Sequence, residues 1–190
     1  MKIALGQMHI RWEDKAANLA RVENWMELLK ENNVDLFTLP EMSLTGFSMH
    51  TELTKETDKI TVAEAERLAR KYQMAVGIGW VKDEGKFCEN RYSIVTPEGE
   101  ILEYTKLHPF SYSGEDRYFQ GGTLLPVCEY RGYHLGVQIC YDLRFPEAFQ
   151  ALSRQADLIL VPANWPGRRR EHWISLLQAR AIENQVGPSG

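Results

Sequence analysis

Over the first 81 residues the hydrophobic pattern switches repeatedly between the period of a strand and the period of a helix, and that alternation leaves few folds open. Residues 2–8 read as a short strand. Leu19, Val22, Met26 and Leu29 then recur at spacings of three and four, which places them on one face of a helix. Residues 34–39 are apolar except for Asp35 and Thr38 and stop at Pro40, as in a strand covered on both faces. A second amphipathic helix carries Val62, Ala65, Ala69 and Tyr72 on one side, and Thr61 with Glu64 predicts a capping box at its start. Residues 74–81 make a third strand. Strand, helix, strand, helix, strand predicts crossover connections and an α/β fold with a parallel centre.

The pattern then changes. Residues 87–96 and 100–106 predict a hairpin turning at Pro97, Glu98 and Gly99, so the sheet becomes mixed. Residues 107–122 form a polar, glycine-containing stretch too long for a simple connector. A second hairpin, 124–130 with 133–139, turns at Arg131 and Gly132, and its second strand runs into Cys140. Pro146 opens a helix with Phe145, Phe149 and Leu152 on one face, and residues 157–161 form another buried strand. Trp173, Leu176, Leu177 and Ala181 mark a last helix ending near Gln185, after which residues 186–190 predict a flexible tail. No internal repeat or low-complexity segment interrupts this order.

Composition narrows the class of partner. The 190 residues suit a single domain, and 44% hydrophobic with 25% charged residues excludes a disordered chain. Lysine plus arginine number 22 against 26 acidic residues, so no general attraction to nucleic acid or an anionic membrane is expected. No apolar run approaches the roughly 20 residues of a membrane-spanning helix. Gln7 and His9 interrupt the first apolar stretch before a signal-peptide core could form. Cys88, Cys128 and Cys140 lack close pairing, which predicts a reducing, cytoplasmic setting. His9, His50 and His172 share no ligand spacing, so no metal is expected.

Three reactive side chains fall where predicted strands finish: Glu41, Lys106 and Cys140. Strand carboxyl ends form the rim on which α/β sheets bind ligands, because the sheet fixes the roots of loops that are free to vary. There a thiol could act as nucleophile, a carboxylate could take its proton and an ammonium could steady developing charge. Taken singly, each has a plainer explanation: a buried cysteine, a solvated strand end, a helix-flanking carboxylate.

The wording around them is more specific. Leu39-Pro40-Glu41-Met42-Ser43-Leu44-Thr45-Gly46, Tyr104-Thr105-Lys106-Leu107-His108-Pro109-Phe110 and Gly136-Val137-Gln138-Ile139-Cys140-Tyr141-Asp142-Leu143-Arg144-Phe145-Pro146-Glu147 together resemble the nitrilase superfamily of carbon–nitrogen hydrolases, in that family's order. The resemblance extends through Asn164-Trp165-Pro166 to Gln185 and implies an αββα sandwich with mixed sheets, spanning residues 1–185 as one domain. It also implies that Cys140 is the nucleophile, Glu41 the general base and Lys106 the stabilising cation. Glu115, within Ser113-Gly114-Glu115-Asp116, matches the family's second glutamate.

The implied reaction is amide hydrolysis through a thioester with release of ammonia, needing no cofactor. The substrate is a small amide, met by the Tyr141 N–H, Arg144, Asn164 and Trp165. The segments CYDLRFPE, NWPGRRREHW and LLQARAIENQ resemble the omega-amidase branch, whose substrates are 2-oxoglutaramate-like. The family chain continues with further strands, so the resemblance implies a fold incomplete at its C-terminus and a homodimer only if that part is present. A binding or scaffold module with an inactive triad stays open as the alternative.

Other constellations are weaker. His134 shares a strand face with Cys140 but lies six residues away, roughly 20 Å at about 3.3 Å per residue. His108 is expected to pack beside the site. Gly77-Ile78-Gly79 lacks the third glycine and following helix of a dinucleotide site and predicts close packing instead. Arg168, Arg169 and Arg170 form the one basic run, better matched to solvent or a substrate carboxylate than to nucleic acid.

Overall fold

A computed structural model describes residues 1–185. The expected tail, 186–190, lies outside the described residues. Strand β1 (Ile3–Leu5) leads into helix α1 (Lys15–Leu29), then strand β2 (Leu36–Thr38), a single helical turn α2 (Thr51–Thr54) and helix α3 (Ile60–Tyr72). Strands β3 (Ala75–Asp83), β4 (Cys88–Thr96) and β5 (Gly99–Thr105) follow, and the five strands form one sheet in chain order. β1, β2 and β3 run parallel because the intervening helices carry the chain back, whereas β3, β4 and β5 are joined by tight turns and run antiparallel.

A second sheet contains β6 (Val127–Tyr130), β7 (Tyr133–Val137) and β8 (Leu158–Leu160). β6 and β7 turn at Arg131 and Gly132, whose φ angles of 54° and 77° give the twist that a two-residue hairpin loop requires. Helix α4 (Pro146–Leu152) makes the crossover to β8, which pairs parallel with β7, and helix α5 (Arg170–Asn184) closes the described chain.

The strand period sorts side chains into two cores. Phe37, Val76 and Ile78 face Val22, Met26 and Leu68 of the helices, while Leu36, Ala75, Tyr92 and Ile94 face Leu135, Val137 and Ile139 of the second sheet. On that sheet's outer face a Cβ at Gly136 would come 2.7 Å from Leu152, so glycine lets α4 settle directly on β7. The layers are therefore helix, sheet, sheet, helix, as the resemblance implied. Each fully buried large apolar side chain contributes about 1.5–3 kcal/mol before the entropy of ordering is counted.

Several local expectations are corrected. β1, β2 and β8 have three paired residues each, shorter than their apolar runs. β6 starts at Val127, after Pro126, which has no N–H for the ladder, and Leu124 is exposed. Thr61 does not cap α3 through a box with Glu64. Lys59 occupies the N-cap at a φ of 51°, and the carboxylate of Glu56 accepts the Thr61 N–H at 2.6 Å and the Thr61 hydroxyl at 2.7 Å. Glu64 pairs with Arg67 on the surface instead. In α5, Ala181 is exposed and the buried residue is Arg180, whose Nε donates to the Leu143 carbonyl at 3.1 Å. Among the described residues no helix is long and apolar enough to cross a membrane.

Candidate active site

β2, β5 and β7 end on one side of the sandwich, and each delivers a side chain there. Beyond β2 the chain continues alongside β3: Leu39 N–H donates to the Gly77 carbonyl at 2.9 Å, and Ser43 N–H donates to the Gly79 carbonyl at 3.0 Å. The Gly79 N–H returns a hydrogen bond to the Ser43 hydroxyl at 2.8 Å. These contacts hold Glu41 against the sheet, with Met42 in the left-handed region at a φ of 44°.

Lys106 is the first residue past β5, and its N–H donates to the Asn90 carbonyl at 2.9 Å. Cys140 lies three residues past β7 and opens a 3-10 turn, Cys140–Arg144. Its φ is 49°, a conformation that costs on the order of 1–3 kcal/mol in a non-glycine residue and is held there by its surroundings. One restraint is its own N–H, which donates to the Pro162 carbonyl at 2.9 Å. Glu115 comes from a 3-10 turn, Glu115–Arg117, inside the long 107–122 stretch, and accepts the Phe110 N–H.

Glu41, Lys106 and Glu115 meet in the interior, and Cys140 is buried close enough for their charges to act on its thiol. Lys106 Nζ is 2.9 Å from Glu41 Oε1 and 2.9 Å from Glu115 Oε2, and all three side chains are buried. Asn90 Nδ2 donates to both carboxylates, at 2.8 Å to Glu41 and 3.1 Å to Glu115. Two acids sharing one cation would repel each other without these donors.

The electrostatics follow from that arrangement. Burial works to lower the pKa of Lys106, but the charges of Glu41, Glu115 and Cys140 outweigh it and hold its proton more tightly than usual. Burial raises Glu115, Lys106 opposes the rise and the like charge of Glu41 adds to it. Burial and then Glu41 push the Cys140 thiol well above its ordinary range, against the pull of Lys106. The resting cysteine is therefore a neutral thiol, and a second anion beside Glu41 would be costly unless Glu41 takes the proton. Transfer between the two leaves the net charge of the cluster unchanged.

The remaining expected residues are placed as follows. Asn164 donates its backbone N–H to Glu41 Oε2 at 3.0 Å and its side-chain amide to the Glu41 carbonyl at 2.6 Å, so its polar groups hold Glu41. The Tyr141 ring packs on Phe110 and Phe145. The Arg144 guanidinium lies 5.3 Å over the Trp165 ring and 3.3 Å from His172 Nδ1. Of the basic run, Arg169 lies over Phe110 and Tyr112. His134 bonds Asp157, away from the cysteine, and Gly77 packs against Tyr92.

Sequence reasoning missed Asn90 and Asp142. Asn90 had no motif to mark it, whereas Asp142 stood two places after Cys140 and is fully buried. A cleft of about 970 Å³ opens between β1, β8 and α5, lined by Leu5, Leu160, Trp165, Trp173 and Leu177 and by none of the four clustered residues. Among the described residues no group of three or more histidine, cysteine, aspartate or glutamate side chains is disposed to hold a metal ion.

Residues 2–186 match the family model described as carbon-nitrogen hydrolase. The chain belongs to that family. It is 34% identical over its full length to an omega-amidase of Yersinia enterocolitica, of which it spans 73%. A 2-oxoglutaramate amidase of Bacillus subtilis is 32% identical over 94% of this chain and 71% of its own. A carbon-nitrogen hydrolase superfamily protein of Xanthomonas campestris, solved with an arsenic adduct in its active site, superposes with a TM-score of 0.88 at 34% identity, covering 96% of this chain and 71% of the other. The nitrilase-superfamily fold and the hydrolysis of carbon–nitrogen bonds are thereby those of this carbon-nitrogen hydrolase, and its relatives set it among the amidases.

Proposed function

We propose that this carbon-nitrogen hydrolase cleaves the terminal amide of a short 2-oxo dicarboxylate monoamide, 2-oxoglutaramate or a near analogue, through a thioester on Cys140. The observation that carries the reading is the meeting of Glu41, Lys106 and Cys140 in one buried cluster. Glu41 takes the thiol proton as sulfur adds to the amide carbon, and the carbonyl oxygen becomes an oxyanion. Lys106 Nζ donates to three carboxylate oxygens, Glu41 Oε1 at 2.9 Å and Glu115 Oε2 and Oε1 at 2.9 and 3.1 Å, so the oxyanion is met by the ammonium's charge and by the N–H turned from the longest of these contacts. The Tyr141 N–H is the second donor. One such donor lowers the barrier by about 2.7–4 kcal/mol when it is positioned in advance.

Protonated Glu41 then gives its proton to the departing nitrogen, ammonia leaves, and the C–S bond remains as a thioester. Glu41 is again a carboxylate and takes a proton from water as that water attacks; the C–S bond then breaks, the acid leaves, and Glu41 returns the proton to the sulfur. Glu115 and Asn90 keep Lys106 and Glu41 in place throughout. For the distal carboxylate of the substrate, Arg144 beside Trp165 offers a planar, bidentate match.

Ammonia release tests the reading. The protein should release ammonia from 2-oxoglutaramate faster than from a neutral amide of similar length, and Cys140→Ala should abolish release while keeping the fold. Equal turnover by the parent and Cys140→Ala removes the nucleophile assignment, and a preference for the neutral amide removes the substrate assignment.

A further inference from the structure

Beneath the turn that presents Cys140 lies a carboxylate that the reaction itself does not use. Asp142 is fully buried, and among the described residues no lysine or arginine pairs with it. Hydrogen-bond donors compensate its charge instead. Asp142 Oδ2 accepts the Ile139 N–H at 2.9 Å and the Tyr104 hydroxyl at 2.7 Å, while Oδ1 accepts the His108 N–H at 2.9 Å and His108 Nδ1 at 2.8 Å. A carboxylate only accepts, so the contact assigns the ring hydrogen to Nδ1. The His108 ring also lies flat on Phe145, with centroids 3.6 Å apart and planes 4° from parallel.

These partners come from two segments. Ile139, on one side, precedes Cys140 and Tyr141 in the strained turn. Tyr104 and His108, on the other, bracket Lys106, and the Tyr104 oxygen also accepts the Leu107 N–H at 3.3 Å. One carboxylate thus ties the chain carrying the Lys106 ammonium to the turn carrying the Tyr141 N–H. We propose that Asp142 is a positioning residue that holds those two oxyanion donors in register with each other, an inference that rests on Cys140 being the nucleophile.

The Asp142→Asn substitution tests it. The amide is nearly the same size, but its NH₂ replaces an acceptor oxygen, and either orientation points that NH₂ at existing donors. Turnover of 2-oxoglutaramate should fall about 100-fold in kcat with KM changed by less than about three-fold, because the lost interaction is made only as the oxyanion forms. Alkylation of Cys140 by iodoacetamide should stay within about three-fold of the parent, since displacement at a methylene carbon develops no carbonyl oxyanion.

Turnover within about three-fold of the parent overturns the proposal. So does a proportional loss of alkylation and turnover, which would mean that Asp142 merely supports the cysteine turn. If Asp142→Asn does not fold, Tyr104→Phe removes one of the four donors at constant ring size. It should lower kcat by about five- to ten-fold with alkylation unchanged, and the same two results overturn the proposal. Should complete alkylation of Cys140 in the parent leave turnover intact, the nucleophile reading itself fails, which is a separate outcome.

Discussion

A Cβ placed on Gly79 would overlap the backbone nitrogen of Met42, and it would stand 2.9 Å from the Pro40 carbonyl oxygen and 3.0 Å from the Glu41 carbonyl carbon. The glycine is what lets the Glu41 loop lie flat on β3. Because the obstructing atoms are backbone, no rotamer change can relieve the overlap. Gly79→Ala should cost about 1–3 kcal/mol in urea unfolding and lower turnover further by moving Glu41 off Lys106. Gly167→Ala, where a Cβ meets nothing within 4 Å, is the matched control and should be near neutral in both assays. Equal effects of the two substitutions would contradict this account.

Much of this arrangement could be read from the chain because it depends on order along the sequence. The alternation of strand and helix periods gave the first sheet its parallel half, and the turn residues at Pro97 and Gly99 gave its antiparallel half. Glu41, Lys106 and Cys140 stood at strand ends and so arrived on one rim. What could not be read depends on contacts between remote segments. Asn90 is 49 residues from the Glu41 it binds and sits in a strand whose pattern gives a polar residue no special meaning. Thr61 and Glu64 have the spacing of a capping box, but Glu56 reaches Thr61 from outside that pattern. Asp142 stood in a quoted motif, yet only its burial and its partners on the Lys106 segment reveal what it holds.

Asn90 separates the two acids that share Lys106. Removing its amide in Asn90→Ala takes a donor from both carboxylates, while the backbone bond from the Lys106 N–H survives. Asn90→Asp goes further and sets a third carboxylate against one ammonium. Turnover should fall about 10-fold or more in the alanine variant and further in the aspartate variant, with stability losses of about 1–3 kcal/mol and greater for aspartate. Initial rates and urea unfolding at neutral pH check the ranking, and an aspartate variant as active as the parent would refute it.

Replacing Lys106 by methionine leaves two buried carboxylates without their cation. At neutral pH this should cost about 3–5 kcal/mol, the usual penalty for breaking a buried ion pair from one side. The pH dependence has a definite sign. Burial already raises Glu115 above its ordinary value of 4.5 with Lys106 present, and without the lysine nothing opposes burial or the charge of Glu41. A carboxyl group raised in the folded state contributes stability that is full below its unfolded value and is lost as pH climbs through its folded value. As pH climbs above 4.5 the stability of Lys106→Met should therefore fall more steeply than that of the parent. Parallel curves in urea unfolding across that range would remove the claim that Lys106 opposes the rise at Glu115.

Glu56 closes the start of α3 without belonging to it. Its carboxylate accepts the Thr61 N–H and hydroxyl and is 2.9 Å from Lys15 Nζ of α1, so it joins two helices that cover the first sheet. Its backbone also bridges to β3, where Glu56 N–H donates to the Val81 carbonyl at 3.0 Å, and no substitution of the side chain removes that bond. Glu56→Ala should cost about 1–2 kcal/mol, the magnitude of a lost cap, because the buried Thr61 groups lose their acceptor. Glu64→Ala removes only an exposed pair with Arg67 and should change stability by less than about 0.5 kcal/mol. Neither side chain touches Glu41, Lys106, Cys140 or Glu115, so turnover per folded molecule should be unchanged in both. The comparison of unfolding midpoints decides which glutamate caps the helix: a larger loss at Glu64 would restore the local capping box and displace Glu56 from that role.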